Sequence, residues 1–119
     1  MIQSKFKFDT LQIHAGSQPD PATGARQTPI YQNTAYVFKD AAHAASLYNL
    51  QEVGYIYSRL TNPTVSVLQE RVATLEGGIG GIACSSGHAA QILALFPLMQ
   101  PGDNIIASNR LYGGSINQL

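Results

Sequence analysis

Charged residues are scarce in this sequence: 12% of its 119 residues are Asp, Glu, Lys or Arg, and the formal net charge is +0. About a quarter is typical of soluble domains. Because a neutral chain has no long-range basic field, we do not expect nucleic acid as a partner. The shortage of charge leaves two interpretations open, ordinary variation or a surface that other protein largely covers.

Cysteine is nearly absent as well, and Cys84 alone cannot form an internal disulfide. A reducing compartment, the cytoplasm, is the simple expectation. No apolar run approaches about 18 residues, so the sequence predicts neither a transmembrane helix nor a membrane partner. The first residues lack the apolar core of a signal peptide, and we find no internal repeat and no low-complexity tract.

Residues 1 to about 60 are predicted to form an extended arm with one short helix. Asp40 is placed to cap that helix, over residues 41–48. The arm contains aromatic and aliphatic side chains, but no pattern that closes a core of its own. We therefore expect residues 1–60 to pack on a neighbouring subunit. The residues that interrupt regular structure in the first thirty positions are Gly16, Pro19, Pro21, Gly24 and Pro29.

Residues 61–119 follow the pattern of an α/β domain. Apolar residues recur at helical spacing from Val65 to Leu75, and Gly77 supplies a stop. Residues 82–84 and 104–107 are predicted strands, with a helix over 89–96 between them and a further helix beginning near the last residues. A parallel sheet usually has four or more strands. The sequence therefore predicts the first, incomplete part of a larger domain that would not fold stably alone.

A Ser-Ser-Gly-His turn, residues 85–88, lies between the first predicted strand and the following helix. Unpaired N–H groups at a helix N-terminus favour anions, and Gly87 lets a ligand approach the backbone. Such a turn is a natural phosphate site, although most turns of this composition bind nothing. His88 could be a base, a metal ligand or a backbone donor, and we favour a structural or backbone role. The histidines show no metal-ligand spacing, so no metal is predicted.

Two further residues have both a structural and a functional interpretation. Cys84 ends a predicted strand, where a small buried hydrophobe fits, and no neighbouring base would activate it as a nucleophile. Tyr112 follows the second predicted strand, at the edge where open α/β sheets bind ligands. Its ring could stack on a flat ligand while its hydroxyl takes part in proton transfer; the alternative is a tyrosine packed under a loop.

The segment from Tyr57 to Thr64 is the most informative string in the sequence. Arg59 offers a planar fork of donors suited to phosphate, and Tyr57 lies on the same side of an extended segment. Asn62 can cap a helix whose first turn contains Pro63. Spacing alone makes this a weak indication of an anion site.

As a string, Y-S-R-L-T-N-P-T resembles the Y-S-R-x-x-N-P-T segment of the Cys/Met-metabolism family of pyridoxal 5'-phosphate (PLP) enzymes. Further motifs of that family match in order along nearly the whole chain. They are T-L-Q-I-H-A-G at 10–16, P-I-Y-Q-N-T at 29–34, L-E-G-G at 75–78, S-S-G-H-A-A at 85–90 and L-Y-G-G at 111–114.

The resemblance implies the aspartate aminotransferase-like fold (fold type I), with a mainly parallel sheet. It also implies that Ser86, Gly87 and His88 bind the cofactor, the last two through backbone N–H groups to its phosphate. The family most often has Met where this chain has His88, a change that leaves the backbone donor in place. Tyr112 would stack on the pyridine ring and act as the catalytic residue.

Tyr57 and Arg59 would bind the phosphate of a neighbouring subunit's PLP, which implies a homo-oligomer, a dimer of dimers. Within the family, residues 47–63 are most similar to O-acetylhomoserine sulfhydrylases. Methionine γ-lyases usually have Cys where this chain has Gly114, which counts against a lyase. The resemblance thus implies a transferase of methionine biosynthesis that acts on an amino-acid substrate and a sulfur donor.

The lysines of this chain do not lie in the family's Schiff-base context; they are Lys5, Lys7 and Lys39. The resemblance places that lysine downstream, so we expect this chain to be the N-terminal part of a longer enzyme. The alternatives are a cystathionine γ-synthase or γ-lyase, or a non-catalytic structural fragment if the native chain ends at Leu119.

Overall fold

The computed structural model describes residues 5–119 as short helices joined by irregular segments. The chain divides into two compact units, a first that ends at Ile82 and a second, Ala83–Leu119. None of the helices in the described residues is long and apolar enough to cross a membrane. The helices are α1 (Phe8–His14), α2 (Ala41–Tyr48), α3 (Pro63–Glu76), α4 (Gly87–Leu95) and α5 (Gly113–Gln118), with a 3-10 turn at Phe96–Leu98.

The two helices with the strongest sequence signals form where they are predicted. α2 begins after Asp40, whose carboxylate accepts a hydrogen bond from the His43 N–H at 2.7 Å. α3 begins after Asn62, with Pro63 in its first turn, and ends at Gly77. Gly77 has a φ of 69°, the left-handed conformation in which a helix commonly stops and which glycine adopts without strain.

Helix α1 is not predicted by the sequence, so the prediction of a single short helix in residues 1–60 is wrong. Its N-cap, Lys7, makes no side-chain cap hydrogen bond, and none of its residues is buried. Local signals for this helix are therefore weak. Tertiary contact supports it, because α1 packs against α3.

The turn after α1 is fastened to α3 by Arg71. The Arg71 Nε–H donates to the carbonyl oxygen of Ala15 at 2.9 Å, and its guanidinium reaches Ser17 Oγ at 3.3 Å. Gly16 between them has a φ of 73°, and a Cβ there would lie 2.9 Å from the carbonyl oxygen of Val67. The H-A-G motif is thus the place where the arm backbone lies directly against α3.

The predicted strands do not form within the described residues. Residues 82–84 and 104–107 make no strand pairing, and the single β-bridge is antiparallel, between Ala35 and Tyr57. A parallel strand requires neighbouring strands for its hydrogen bonds, and residues 5–119 supply none beside these two segments. Cys84, predicted to be buried at the end of a strand, is exposed for the same reason.

Helix α4 and the end of the second unit follow the prediction more closely. α4 begins at Gly87, two residues earlier than expected, and continues into the 3-10 turn that contains Pro97. The helix expected near the last residues is α5. In the described part of the chain, the buried apolar residues are Leu47 and Ala73. The helices therefore present apolar faces that nothing in residues 5–119 covers.

Candidate functional site

The first part of the candidate site is the bridge between two extended segments of the first unit. The Ser58 N–H donates to the Thr34 carbonyl oxygen at 2.9 Å, and the Tyr36 N–H donates to the Ile56 carbonyl oxygen at 3.2 Å. These bonds flank the bridge at Tyr57. The backbone that carries Tyr57 is therefore fixed on both sides.

Tyr57 and Arg59 lie together on the surface of the first unit. The Arg59 guanidinium carbon is 5.4 Å from the centroid of the Tyr57 ring, within cation–π distance. Among the described residues, no carboxylate forms an ion pair with Arg59 and no hydrogen bond engages its guanidinium. The pair thus offers an uncompensated cation and a phenol side by side, which is the donor set that a phosphate requires.

The P-I-Y motif is held by the first turn of α3. The Thr64 hydroxyl donates to the Pro29 carbonyl oxygen at 2.8 Å and accepts from the Tyr31 N–H at 3.0 Å. The Asn62 side-chain amide donates to the Tyr31 carbonyl oxygen at 2.9 Å. Sequence reasoning treated residues 29–34 and 57–64 as separate motifs, whereas the structure makes them one hydrogen-bonded assembly. The Asn and Thr that both motifs contain were the available signal.

The second part of the site is the N-terminus of α4. Ser86 caps the helix, its hydroxyl accepting from the Ala89 N–H at 3.1 Å. The N–H groups of Gly87 and His88 have no hydrogen-bond partner within the described residues. A Cβ built on Gly87 would meet no atom within 4 Å. Both residues are exposed at the positive end of a helix dipole, and their two unpaired donors fit a phosphate group.

The structure brings Tyr112 next to this helix start. The His88 and Tyr112 rings have centroids 5.8 Å apart and planes inclined at 35°. The Gln118 amide donates to the His88 carbonyl oxygen at 2.9 Å, which ties α5 to the first turn of α4. Both rings converge on Gly114, where a Cβ would lie 2.6 Å from His88 Cε1 and 2.8 Å from Tyr112 Cε1. Sequence reasoning did not foresee this contact.

The predicted site residues therefore fall into two groups. Tyr112 lies with the Ser86–His88 turn in the second unit, whereas Tyr57 and Arg59 lie in the first. Elsewhere in the first unit, the Arg26 guanidinium contacts His14 Nδ1 at 2.7 Å. Within residues 5–119, no group of three His, Cys, Asp or Glu side chains could hold a metal ion.

Residues 9–119 match the model of the family described as Cys/Met metabolism PLP-dependent enzyme. This chain belongs to that family. The residues at both parts of the site fit its cofactor: unpaired N–H groups at α4 and an uncompensated Arg59 suit the phosphate, and an exposed Tyr112 ring suits the pyridine.

Individual members of the Cys/Met metabolism family match nearly all of this chain. O-acetyl-L-homoserine sulfhydrylase 1 of Thermus thermophilus is 58% identical over 94% of this chain and 27% of its own length. A Campylobacter jejuni structure, assigned as an O-acetylhomoserine (thiol)-lyase and containing a pyridoxyl-lysine monophosphate, has a TM-score of 0.87 and 47% identity. The match covers 94% of this chain and 27% of the length of the Campylobacter jejuni chain.

A cystathionine γ-lyase from Lactobacillus plantarum, complexed with L-serine, is less similar, with a TM-score of 0.76 and 38% identity over 94% of this chain and 27% of its own. The described residues thus follow the backbone of PLP-dependent family members. The chain spans about a quarter of the length of the relatives it matches.

Proposed function

We propose that the protein containing this chain is a PLP-dependent O-acetylhomoserine sulfhydrylase of methionine biosynthesis. The observation that carries the proposal is the 58% identity to the Thermus thermophilus sulfhydrylase over 94% of the chain. In the proposed reaction the bond between Cγ and the acetoxy oxygen breaks and a bond from Cγ to sulfur forms. With sulfide as donor, the products are homocysteine and acetate.

When bound, PLP supplies the electron sink that makes loss of the acetoxy group feasible. In the proposal, the Gly87 and His88 N–H groups bind its phosphate at the N-terminus of α4, and Ser86 holds that turn in place. Tyr112 would stack on the pyridine ring, and its hydroxyl would move a proton. The exposed ring and the open space at Gly87 support these assignments.

Tyr57 and Arg59 are proposed to complete the phosphate site of a neighbouring subunit. Residues 1–60 would then be an arm that packs on that subunit, and residues 61–119 the first part of a PLP domain with a mainly parallel sheet. The smallest competent unit would be a dimer, and the assembly a homotetramer in the cytoplasm. Exposed apolar side chains along the arm support this arrangement, among them Phe8, Ile13, Ile30 and Val37.

Product analysis of the full-length gene product tests the proposal. The enzyme, loaded with PLP, is given O-acetylhomoserine with sulfide or with cysteine, and acetate is measured. Homocysteine with sulfide is the expected product. Cystathionine formed only with cysteine would assign a cystathionine γ-synthase instead. In a separate assay with cystathionine as the substrate, release of ammonia would assign a γ-lyase. No acetate with any sulfur donor would contradict the proposal.

A further inference from the structure

The side chain of Asn62 is a buried junction between three segments of the first unit. The residue is only 8% exposed. Its Oδ1 accepts from the Thr64 N–H at 2.9 Å, which is the helix cap. Its Nδ2 donates to the Tyr31 carbonyl oxygen at 2.9 Å and to Ser58 Oγ at 3.1 Å. A cap needs only the acceptor, so the two donated bonds serve something other than the start of α3.

Those donated bonds act on the residue between Tyr57 and Arg59. Ser58 Oγ accepts from Asn62 and donates to the Asn33 carbonyl oxygen at 2.5 Å. The Ser58 N–H is already bonded to the opposite segment. Ser58 is therefore held through both its backbone and its side chain. Because Tyr57 and Arg59 are its direct neighbours, the directions of their side chains depend on this anchor.

We propose that Asn62 is a positioning residue for phosphate binding by the Tyr57–Arg59 pair, acting through Ser58. The inference rests on the proposed role of that pair. Asn62 does not touch the ligand; it holds the backbone from which the guanidinium and the phenol extend. Preorganised donors bind a phosphate more tightly than donors that must be ordered at the moment of binding.

Asn62→Ser separates this role from helix capping. Serine is also a good cap, but it is too short to donate to both Tyr31 and Ser58. Asn62→Asp likewise keeps the cap acceptor and removes both donors. Ser58→Ala provides a third route, because it leaves the Asn62 cap intact and removes the anchor itself. A matched control is Asp40→Ala, which removes the cap of α2 without touching residues 57–59.

The measurement is the affinity of the apo form of the full-length gene product for PLP and for pyridoxal, which lacks the phosphate. We expect Asn62→Ser and Ser58→Ala to weaken PLP binding about tenfold, in line with one lost charged hydrogen bond. Pyridoxal affinity should change little. The Asp40→Ala control should leave the PLP-to-pyridoxal ratio of affinities unchanged.

A double-mutant cycle with the combined Tyr57→Phe/Arg59→Ala variant decides whether Asn62 acts through the pair. If it does, Asn62→Ser adds little further loss of PLP affinity once both the phenol hydroxyl and the guanidinium are gone. Equal and additive losses in both backgrounds would overturn the positioning role while leaving the phosphate role of Arg59 intact. An Arg59→Ala variant with normal PLP affinity would overturn both. If Asn62→Ser fails to fold, the same cycle with Ser58→Ala gives the decision.

Discussion

At the scale of single residues, the site depends on groups left without partners as much as on those that are paired. The N–H groups of Gly87 and His88 and the guanidinium of Arg59 have no hydrogen-bond partner in residues 5–119. Ser86, beside the first two, is engaged as the helix cap, its hydroxyl accepting from the Ala89 N–H. Donors that are held in place but unused are suited to an anion.

Arg59→Ala should weaken PLP binding by the full-length gene product. A charge-assisted hydrogen bond contributes about 1.5–3 kcal/mol, which is about ten- to a hundredfold in affinity. Arg59→Lys keeps the charge but not the planar fork, so its PLP affinity should lie between that of the unchanged protein and that of the alanine variant. Titration of the apo form with PLP gives the values. Unchanged affinity in the alanine variant would refute the proposed phosphate contact.

Gly114→Ala should displace the Tyr112 ring. The new Cβ would lie under 3 Å from both the His88 and the Tyr112 rings, so at least one ring must move. Loss of a good stacking geometry costs about 0.5–1.5 kcal/mol, about two- to tenfold in PLP affinity. His88→Ala in the same protein removes one of the clashing rings and should recover part of the loss. If the loss of PLP affinity in the double variant equals the sum of the losses in the two single variants, the steric explanation is wrong.

The Tyr57, Arg59 and Ser86–His88 assignments came from the sequence because a family string carries them, and they remain predictions. The His88–Tyr112 contact could not be derived in this way, because 24 positions separate the two residues and no local pattern pairs them. The junction at Asn62 was foreseen only as a cap. Capping follows from neighbouring residues, whereas its bonds to Tyr31 and Ser58 depend on tertiary structure.

At the scale of elements, the sequence predicts a helix when the residues that start and stop it lie within or next to that helix. α2 and α3 carry their own caps, and α3 its own glycine stop, so the sequence predicts them. α1 lacks a cap and depends on α3, so it was missed. The predicted strands at 82–84 and 104–107 depend on partners that residues 5–119 do not provide. Their apolar composition indicates burial, but pairing is a property of a whole sheet.

Two glycines with the same backbone conformation should respond differently to alanine. Gly77 and Gly16 have φ values of 69° and 73°, so each substitution costs about 1 kcal/mol in strain. At Gly77 the new Cβ meets nothing within 4 Å, whereas at Gly16 it lies 2.9 Å from a carbonyl oxygen of α3. This overpacking should add about 1–3 kcal/mol to the cost of Gly16→Ala alone.

Hydrogen exchange in the full-length gene product measures the difference between these two glycine variants. Gly16→Ala should speed exchange of the α1 amides, because it separates α1 from α3. Gly77→Ala should affect only the last turn of α3. Equal exchange of α1 in the two variants would show that the close approach at Gly16 does not hold α1 in place.

At the scale of the whole molecule, the balance of buried and exposed apolar groups is unusual. Large side chains such as Val37, Ile79 and Ile106 are essentially fully exposed, at 97%, 108% and 101%. Alongside α4 and α5, a largely apolar cavity of about 410 Å³ is lined by Ile92, Phe96 and Ile105, among others. Surfaces of this kind are normally covered by more polypeptide.

The 119-residue chain by itself should therefore lack a cooperative unfolding transition. Too little apolar area is buried to offset the conformational entropy of ordering the backbone. Thermal melting followed by circular dichroism should be broad, and a dye that binds exposed apolar surface should fluoresce strongly with the chain. A sharp transition with little dye binding would contradict this expectation.

Mixing two inactive variants of the full-length gene product tests the proposed shared site. One variant lacks Arg59 and the other lacks the Schiff-base lysine that the family resemblance places downstream. After subunit exchange, mixed dimers would contain one intact site, with the lysine from one chain and Arg59 from the other. Return of activity is expected; verified exchange without activity would mean that each subunit builds its own site.

The hydrogen bonds that hold Ser58, between Tyr57 and Arg59, join residues that precede Gly77: Asn33, Ser58, Asn62 and Tyr31. Chains are synthesised from the N-terminus, and units fold as their residues emerge. This assembly therefore draws all its hydrogen-bond partners from residues that are synthesised before the end of α3. Its stability still depends on the polypeptide that covers the exposed apolar side chains of the first unit, so we expect one subunit's contribution to a neighbour's site to become ordered only when that covering chain has been made.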